Sequence, residues 1–198
     1  EKSVNTIVNC LQNGNKIVLF GNGGSAADAQ HIAAELIGRF SKERKSYPAI
    51  SLTTDSSILT ALGNDYSFNT IFSRQCESLV LPNDVVIGIS TSGNSTNVKK
   101  GLITAKKKGA ITIGLLGNKG GTIKNFVDIQ IIVASSSTPR IQEAHRVIYH
   151  IICENVENLM DRWYVMNTIT ITGSRGLVGS ELCKFLKKNN KIIEVDLQ

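Results

Sequence analysis

One unit occurs twice in this chain and limits what it can fold into: a short apolar strand, a loop of small residues, then a helix. Lys16 to Phe20 (KIVLF) ends on Gly21-Asn22-Gly23-Gly24, and Ser25 to Gly38 follows as an Ala-rich segment of helical spacing, with Ser25 as its N-cap. Asp84 to Ile89 (DVVIGI) ends on Ser90-Thr91-Ser92-Gly93-Asn94-Ser95 and continues as a helix through Lys108. Ile111 to Leu116 and Ile129 to Val133 are further strands of the continuously apolar kind that is covered on both faces, and Ala49 to Leu52 is a weaker one. Strands alternating with helices predict an α/β fold, a three-layer sandwich with a central parallel sheet flanked by helices. Pro139 to Met160 closes this region as one long helix, in which the proline falls at a tolerated first-turn position.

The texture then changes. Residues 161–166 read as a connector, and Thr168 to Thr172 is a fresh strand running into Gly173-Ser174-Arg175-Gly176-Leu177-Val178-Gly179. A helix to about Lys188 and a strand Ile192 to Val195 follow, ending in Asp196, where a ribose hydroxyl would be held. The turn is similar to the TGxxGxxG turn of the extended short-chain dehydrogenases, which include sugar-nucleotide epimerases. Some thirty residues are too few to complete such a sheet. Residues 167–198 are therefore expected to be an incomplete Rossmann-like, NAD(P)-binding fragment, present through fusion or truncation, to which NAD(P) does not bind; Met166 stands where a neighbouring reading frame could have begun. The organisation expected is residues 1–160 as one domain, 161–166 as connector and 167–198 as the fragment.

Charge and cysteine content exclude several classes. The 22 basic against 16 acidic residues give +6, but the lysines are scattered or sit in helical runs such as Lys106 to Lys108, so a solvated helix face and an anionic small substrate are expected instead of nucleic acid. Cys10, Cys76, Cys153 and Cys183 form no CxxC pair and predict buried, reduced thiols in a cytoplasmic protein. No apolar run approaches the ~18 residues of a membrane span, and no membrane partner is expected. The chain begins at Glu1, not Met, so its native start is expected to lie upstream.

Four groups of residues carry chemistry. The glycines of Gly21 to Ser25 allow close backbone approach to a ligand at a helix N-terminus, although plain turn geometry uses glycine just as readily. Ser90, Thr91, Ser92 and Ser95 put four hydroxyls at a second strand-to-helix junction where capping needs one, which favours a phosphate cradle. His31 and Glu35 are four apart, about 6 Å on one helix face, and could clamp a metal or be a surface pair. Gln142 and His150 are eight apart, ~12 Å along the closing helix, so their spacing alone argues weakly for a shared metal. His145 lies ~140° around that helix from His150 and reads as structural or interfacial.

The segments FGNGGSAADAQH and GISTSGNSTNV resemble the paired signatures of the sugar isomerase (SIS) family, and the resemblance covers residues 1–160, with Leu62-Gly63-Asn64-Asp65 and Arg140-Ile141-Gln142-Glu143-Ala144-His145 in the expected order. Within that family it is strongest to the phosphoheptose isomerases. The resemblance implies isomerisation of D-sedoheptulose 7-phosphate to D-glycero-D-manno-heptose 7-phosphate through an enediol, the first step of nucleotide-activated heptose synthesis. It implies that Ser90, Thr91, Ser92 and Ser95 hold the phosphate, that Asn22, Gly23, Gly24, Asn64, Asp65 and Gln142 line the sugar site, and that His31, Glu35, Gln142 and His150 bind one Zn²⁺ per subunit. Glu35 is the implied base and His150 the implied acid, so Glu35 is asked to be ligand and base at once. The resemblance also implies a homotetramer with active sites shared between subunits, and an additional N-terminal helix ahead of Glu1. The competing class is a non-catalytic phosphosugar-binding or replication-initiator-associating protein of the same fold, which keeps the first His but lacks the Glu and the second His. Glu35 and His150 both favour the enzyme.

Overall fold

Strands covered on both faces can be apolar throughout, and here they are. All five residues of β1 (Ile17–Gly21) and all six of β3 (Val85–Ser90) are buried, and so are all but the first of β4 (Ile111–Leu116). The computed structural model describes residues 1–164, 168–187 and 191–196. With β2 (Ala49–Ser51) and β5 (Ile129–Ile132) these strands form one parallel sheet of order β2-β1-β3-β4-β5. β1 and β3 are in register from Ile17 against Val85 to Gly21 against Ile89, so their carboxyl ends finish side by side. In this order the chain reverses its direction of winding between β1 and β3, the place where open α/β sheets bind ligands.

Alternate side chains of the strands serve opposite faces. Val18, Phe20 and Val86 pack with α4 (Ile71–Leu79) and α5 (Thr96–Lys107), where the rings of Phe20 and Phe72 stack at 4.8 Å. Ile87, Ile113, Leu115 and Ile131 face the other layer, made by α1 (Lys2–Gln12), α2 (Gly24–Ile37) and α6 (Thr138–Tyr164). The three-layer α/β sandwich with a central parallel sheet is therefore as expected. α1, α3 (Ser56–Asp65) and α4 add helices not marked in the sequence reading. Lys106 and Lys108 end α5 in solvent-side bonds, to Asp128 (2.6 Å) and to the Glu77 carbonyl (2.8 Å), at the helix end that favours cations.

Three local expectations are corrected. Ser25 is not the N-cap of α2: Gly23 holds that place with φ +56°, and Ser25 is already helical and buried. A positive φ, which glycine adopts without strain, turns the chain earlier than a serine cap would. The closing helix runs four residues beyond Met160, through Asp161-Arg162-Trp163-Tyr164, because nothing in that stretch breaks a helix, so the first part of the segment read as a connector is helical. The α7 helix (Leu177–Leu186) stops short of the expected end near Lys188, which lies outside the described residues, as do residues 165–167 and 197–198.

The chain divides into two compact units, Glu1–Glu157 and Asn158–Gln198. In the second, β6 (Thr168–Thr172) and β7 (Lys191–Val195) pair in parallel and are joined through α7. Asp196 is engaged there by Arg175, whose Nε lies 3.1 Å from its carboxylate. Among the described residues no helix is long and apolar enough to cross a membrane. All four cysteines are free and buried.

Candidate active site and metal centre

The loops that end β1 and β3 meet through their amides. Asn22 Nδ2 donates to Asn97 Oδ1 (2.8 Å) and Asn97 Nδ2 donates back to Asn22 Oδ1 (2.9 Å), while Asn97 Oδ1 also accepts from the Val98 N–H. Asn22, expected to line the sugar site, is thus bound into a clasp across the switch point of the sheet. Asn97 was not named as a site residue from the sequence, although it lies within GISTSGNSTNV, two residues after Ser95.

In the serine loop, Ser90 Oγ lies 3.0 Å from Ser95 Oγ and 3.4 Å from Ser92 Oγ and accepts from the Gly93 N–H. Ser95 is the N-cap of α5, yet its hydroxyl pairs with Ser90 instead of capping the helix. The carbonyl of Thr91 is held by Asn118 Nδ2 (3.0 Å). Three hydroxyls thus converge at a helix N-terminus, an arrangement suited to the oxygens of a phosphate. Asn64 and Asp65 pair with each other (2.8 Å) at the exposed end of α3. No hydrogen bond or ion pair among the described residues ties them to the serine loop.

The helical pair is joined by a third group. His31 Nε2 lies 2.8 Å from Glu35 Oε1, and the His150 ring lies 5.1 Å from that of His31. One ligand atom from each of His31, Glu35 and His150 falls within 4.8 Å of the others. His150 Nε2 is buried and has no hydrogen-bond partner among the described residues. An orphaned imidazole nitrogen facing a His and a carboxylate fits a cation, and three ligands with a position left open is the composition of catalytic zinc sites.

Gln142 joins a different group. A Cβ added at Gly24 would overlap the Gln142 amide, so that amide lies against the first turn of α2. Gly24 is seven residues before His31, about 10 Å of helix. Gln142 thus contacts the glycine loop, about two helical turns along α6 from His150. His145 is fully buried outside the cluster, and burial pulls its pKa below the ordinary value.

Around the three ligands lie groups that the sequence reading missed. Tyr149 Oη is 3.1 Å from His31 Nδ1 and 3.4 Å from Asp28 Oδ1, and it accepts from Arg146 Nε at 3.2 Å. Burial raises the pKa of this phenol, so it carries its proton at neutral pH. Phe40 packs on His150 with ring centroids 5.7 Å apart. Behind it, Glu157 accepts from the N–H groups of Phe40, Ser41 and Lys42, from Ser41 Oγ and from Arg44 Nε. The i, i+3 spacing of Asp28 and His31, and the position of Tyr149 next to His150, were the available signals.

The SIS domain family matches residues 1–117. The phosphoheptose isomerase of Aquifex aeolicus is 59% identical over 154 residues, 78% of this chain and 81% of that protein, and that of Geotalea daltonii is 58% identical over 154 residues, 78% and 80%. Among solved structures, the phosphoheptose isomerase GmhA of Neisseria gonorrhoeae matches with a TM-score of 0.75 at 42% identity, over 79% of this chain and 84% of that one. A phosphoheptose isomerase from Francisella tularensis matches at 0.77 and 36%, over the same shares. Fold, loops and relatives agree: this chain belongs to the SIS domain family and, within it, to the phosphoheptose isomerases.

Proposed function

We propose that this chain is an aldose–ketose isomerase that converts D-sedoheptulose 7-phosphate to D-glycero-D-manno-heptose 7-phosphate through an enediol. The observation that carries the reading is the gathering of His31, Glu35 and His150, on a chain 58% and 59% identical over 154 residues to proteins called phosphoheptose isomerase. The serine loop, Ser90 to Ser95, holds the phosphate and so fixes the sugar at its far end. The glycine loop, with Asn22, Gly23, Gly24 and the Gln142 amide against it, lines the sugar chain together with Asn64 and Asp65. A carboxylate is needed to take the proton from C1 and return it at C2, and Glu35 is that base. His150, whose buried Nε2 has no hydrogen-bond partner among the described residues, would move the proton between the two oxygens, a duty open to a ring nitrogen only while it does not hold the metal.

His31, Glu35 and His150 would hold one zinc ion per subunit, and Gln142 would join them only by swinging away from Gly24. When bound, the metal supplies polarisation of the substrate carbonyl. Glu35 turns Oε1 toward His31, so the duties of ligand and base fall on different oxygens of one carboxylate. The same reading includes a homotetramer with shared active sites, a cytoplasmic location in keeping with the free buried thiols, and residues 1–160 as the working domain. Residues 167–198 are taken as a dehydrogenase-like fragment that binds no NAD(P), on the strength of the β6–α7–β7 arrangement alone. The test is incubation of the full chain with sedoheptulose 7-phosphate and zinc, following aldose formation. Product is expected, and Glu35→Gln should abolish it with an unchanged circular dichroism spectrum. Substantial turnover by that variant would sink the assignment of the base.

A further inference from the structure

We propose that Tyr149, held between Asp28 and Arg146, is a positioning residue that sets which nitrogen of His31 carries the proton, and so presents the bare Nε2 to the metal. The proposal rests on the zinc reading above. Its ground is the number of protons available among four groups. A phenolic hydroxyl donates one hydrogen bond and accepts up to two. Arg146 Nε, 3.2 Å away, can only donate to it, and the Asp28 carboxylate, 3.4 Å away, can only accept. His31 Nδ1, at 3.1 Å, is the one neighbour able to do either.

Two arrangements follow. With the ring proton on Nδ1, His31 and Arg146 both donate to Tyr149 and Tyr149 donates to Asp28, so every group is satisfied and Nε2 is left as a lone pair. With Nδ1 bare, Tyr149 turns its proton to His31, Asp28 loses that donor, and the proton on Nε2 points at Glu35 Oε1, 2.8 Å away. A lone pair and a carboxylate oxygen facing each other at that distance repel unless a cation or a proton stands between them. Two zinc ligands at ~2.0 Å in a tetrahedron are roughly 3.3 Å apart, so a small outward movement of Nε2 and Oε1 admits the ion. The first arrangement is thus the metal-holding one and the second the metal-free one. Converting one into the other turns the Tyr149 hydroxyl and moves one ring proton between Nδ1 and Nε2 by exchange with water, which reaches the His31 side chain, 38% exposed. Tyr149 is 2% exposed and Asp28 is 3% exposed, so water does not substitute for either partner. Partners of this kind behind a metal-bound histidine are worth 10–100-fold in metal affinity or activity.

The experiment uses the full chain, stripped of metal and titrated with zinc against a chromophoric chelator, and separately with cobalt followed by visible absorption. The wild-type chain should take one equivalent. Tyr149→Phe should bind zinc 10–100-fold more weakly and shift the cobalt spectrum, with KM for the sugar phosphate changed less than twofold while kcat falls. Should Tyr149→Phe fail to fold, Asp28→Asn serves in its place, because Asn offers Tyr149 a weaker, neutral acceptor and should weaken zinc several-fold. Zinc affinity within twofold of wild type in a folded variant overturns the proposal while the zinc reading stands. Failure of the wild-type chain to take up zinc overturns the zinc reading and the proposal with it.

Discussion

The carboxylate of Glu157 offers the sharpest quantitative test of how the loop after α2 is held. Its side chain is 2% exposed and is surrounded by donors: the N–H groups of Phe40 (3.1 Å), Ser41 (2.9 Å) and Lys42 (2.9 Å), the Ser41 hydroxyl (2.9 Å) and Arg44 Nε (2.9 Å). Burial by itself would raise its pKa; the bonds from Ser41, Lys42 and Phe40 outweigh that and hold it at about 2, against an ordinary 4.5. At 1.36 kcal/mol per unit, that difference is worth about 3 kcal/mol of stability. The folded-state pKa is depressed, so the contribution is complete above about pH 4.5 and is lost as pH falls toward about 2. Glu157→Gln removes the charge and turns an amide NH₂ toward backbone donors, leaving at least one of them unpaired in a buried place. We expect a loss of about 3 kcal/mol at pH 7, seen as a drop of roughly 6–12 °C in the melting midpoint followed by circular dichroism. The difference between wild type and variant should shrink steadily between pH 4.5 and 2. A drop of under 2 °C at pH 7, or a difference that does not change with pH over that range, would refute the reasoning.

Three further outcomes follow from the same geometry. Asn97→Ala removes both bonds of the clasp with Asn22 and the cap on Val98, and should cost about 2–3 kcal/mol and raise KM for the sugar phosphate; unchanged urea unfolding and unchanged KM would count against the clasp. Gly24→Ala should displace the Gln142 amide and impair turnover without loss of zinc binding, since the three ligands lie two helical turns away; loss of zinc stoichiometry would contradict the separation of Gln142 from them. Burial raises the thiols of Cys10, Cys76 and Cys153 to about 11, 12 and 12, so they should react with a disulfide reagent at pH 8 only after denaturation. Fast labelling of any of these three in the native protein would show that they are not shielded.

The strands were legible because β1, β3 and β4 are buried on both faces and read as continuous apolar runs. α3 was not, because none of its residues is fully buried and its short stripe, Leu59 and Leu62, packs only partly on the core. α1 does carry one, with Val4, Ile7, Val8 and Leu11 buried, but its Asn and Thr residues give it low helix propensity and tertiary packing makes the difference. In the site, His31 with Glu35 and the four hydroxyls of the serine loop lie close in sequence, and local spacing sufficed. His150, Tyr149, Asn97 and Glu157 act across 75 to 119 positions of chain, and no local period reports which faces will meet.

What the structure adds is a register. Gln142 meets Gly24, Tyr149 and His150 meet His31, and Glu157 meets the chain from Phe40 to Lys42. The steps along α6 are seven or eight residues and those along α2 and its exit are seven and then nine to eleven, with numbers rising together. Two helices in contact at such intervals run side by side and in the same direction, the first two contacts two turns apart and the third just past the end of α2. The register sets a glutamine and a histidine of one helix at different levels of α2: Gln142 reaches the glycine loop at its start, His150 the His31–Glu35 pair in its middle. It also explains why the third contact matters for chemistry although Glu157 touches no ligand. Glu157 fastens the loop whose Phe40 ring covers His150, so the last step of the register closes the site that the middle step assembles.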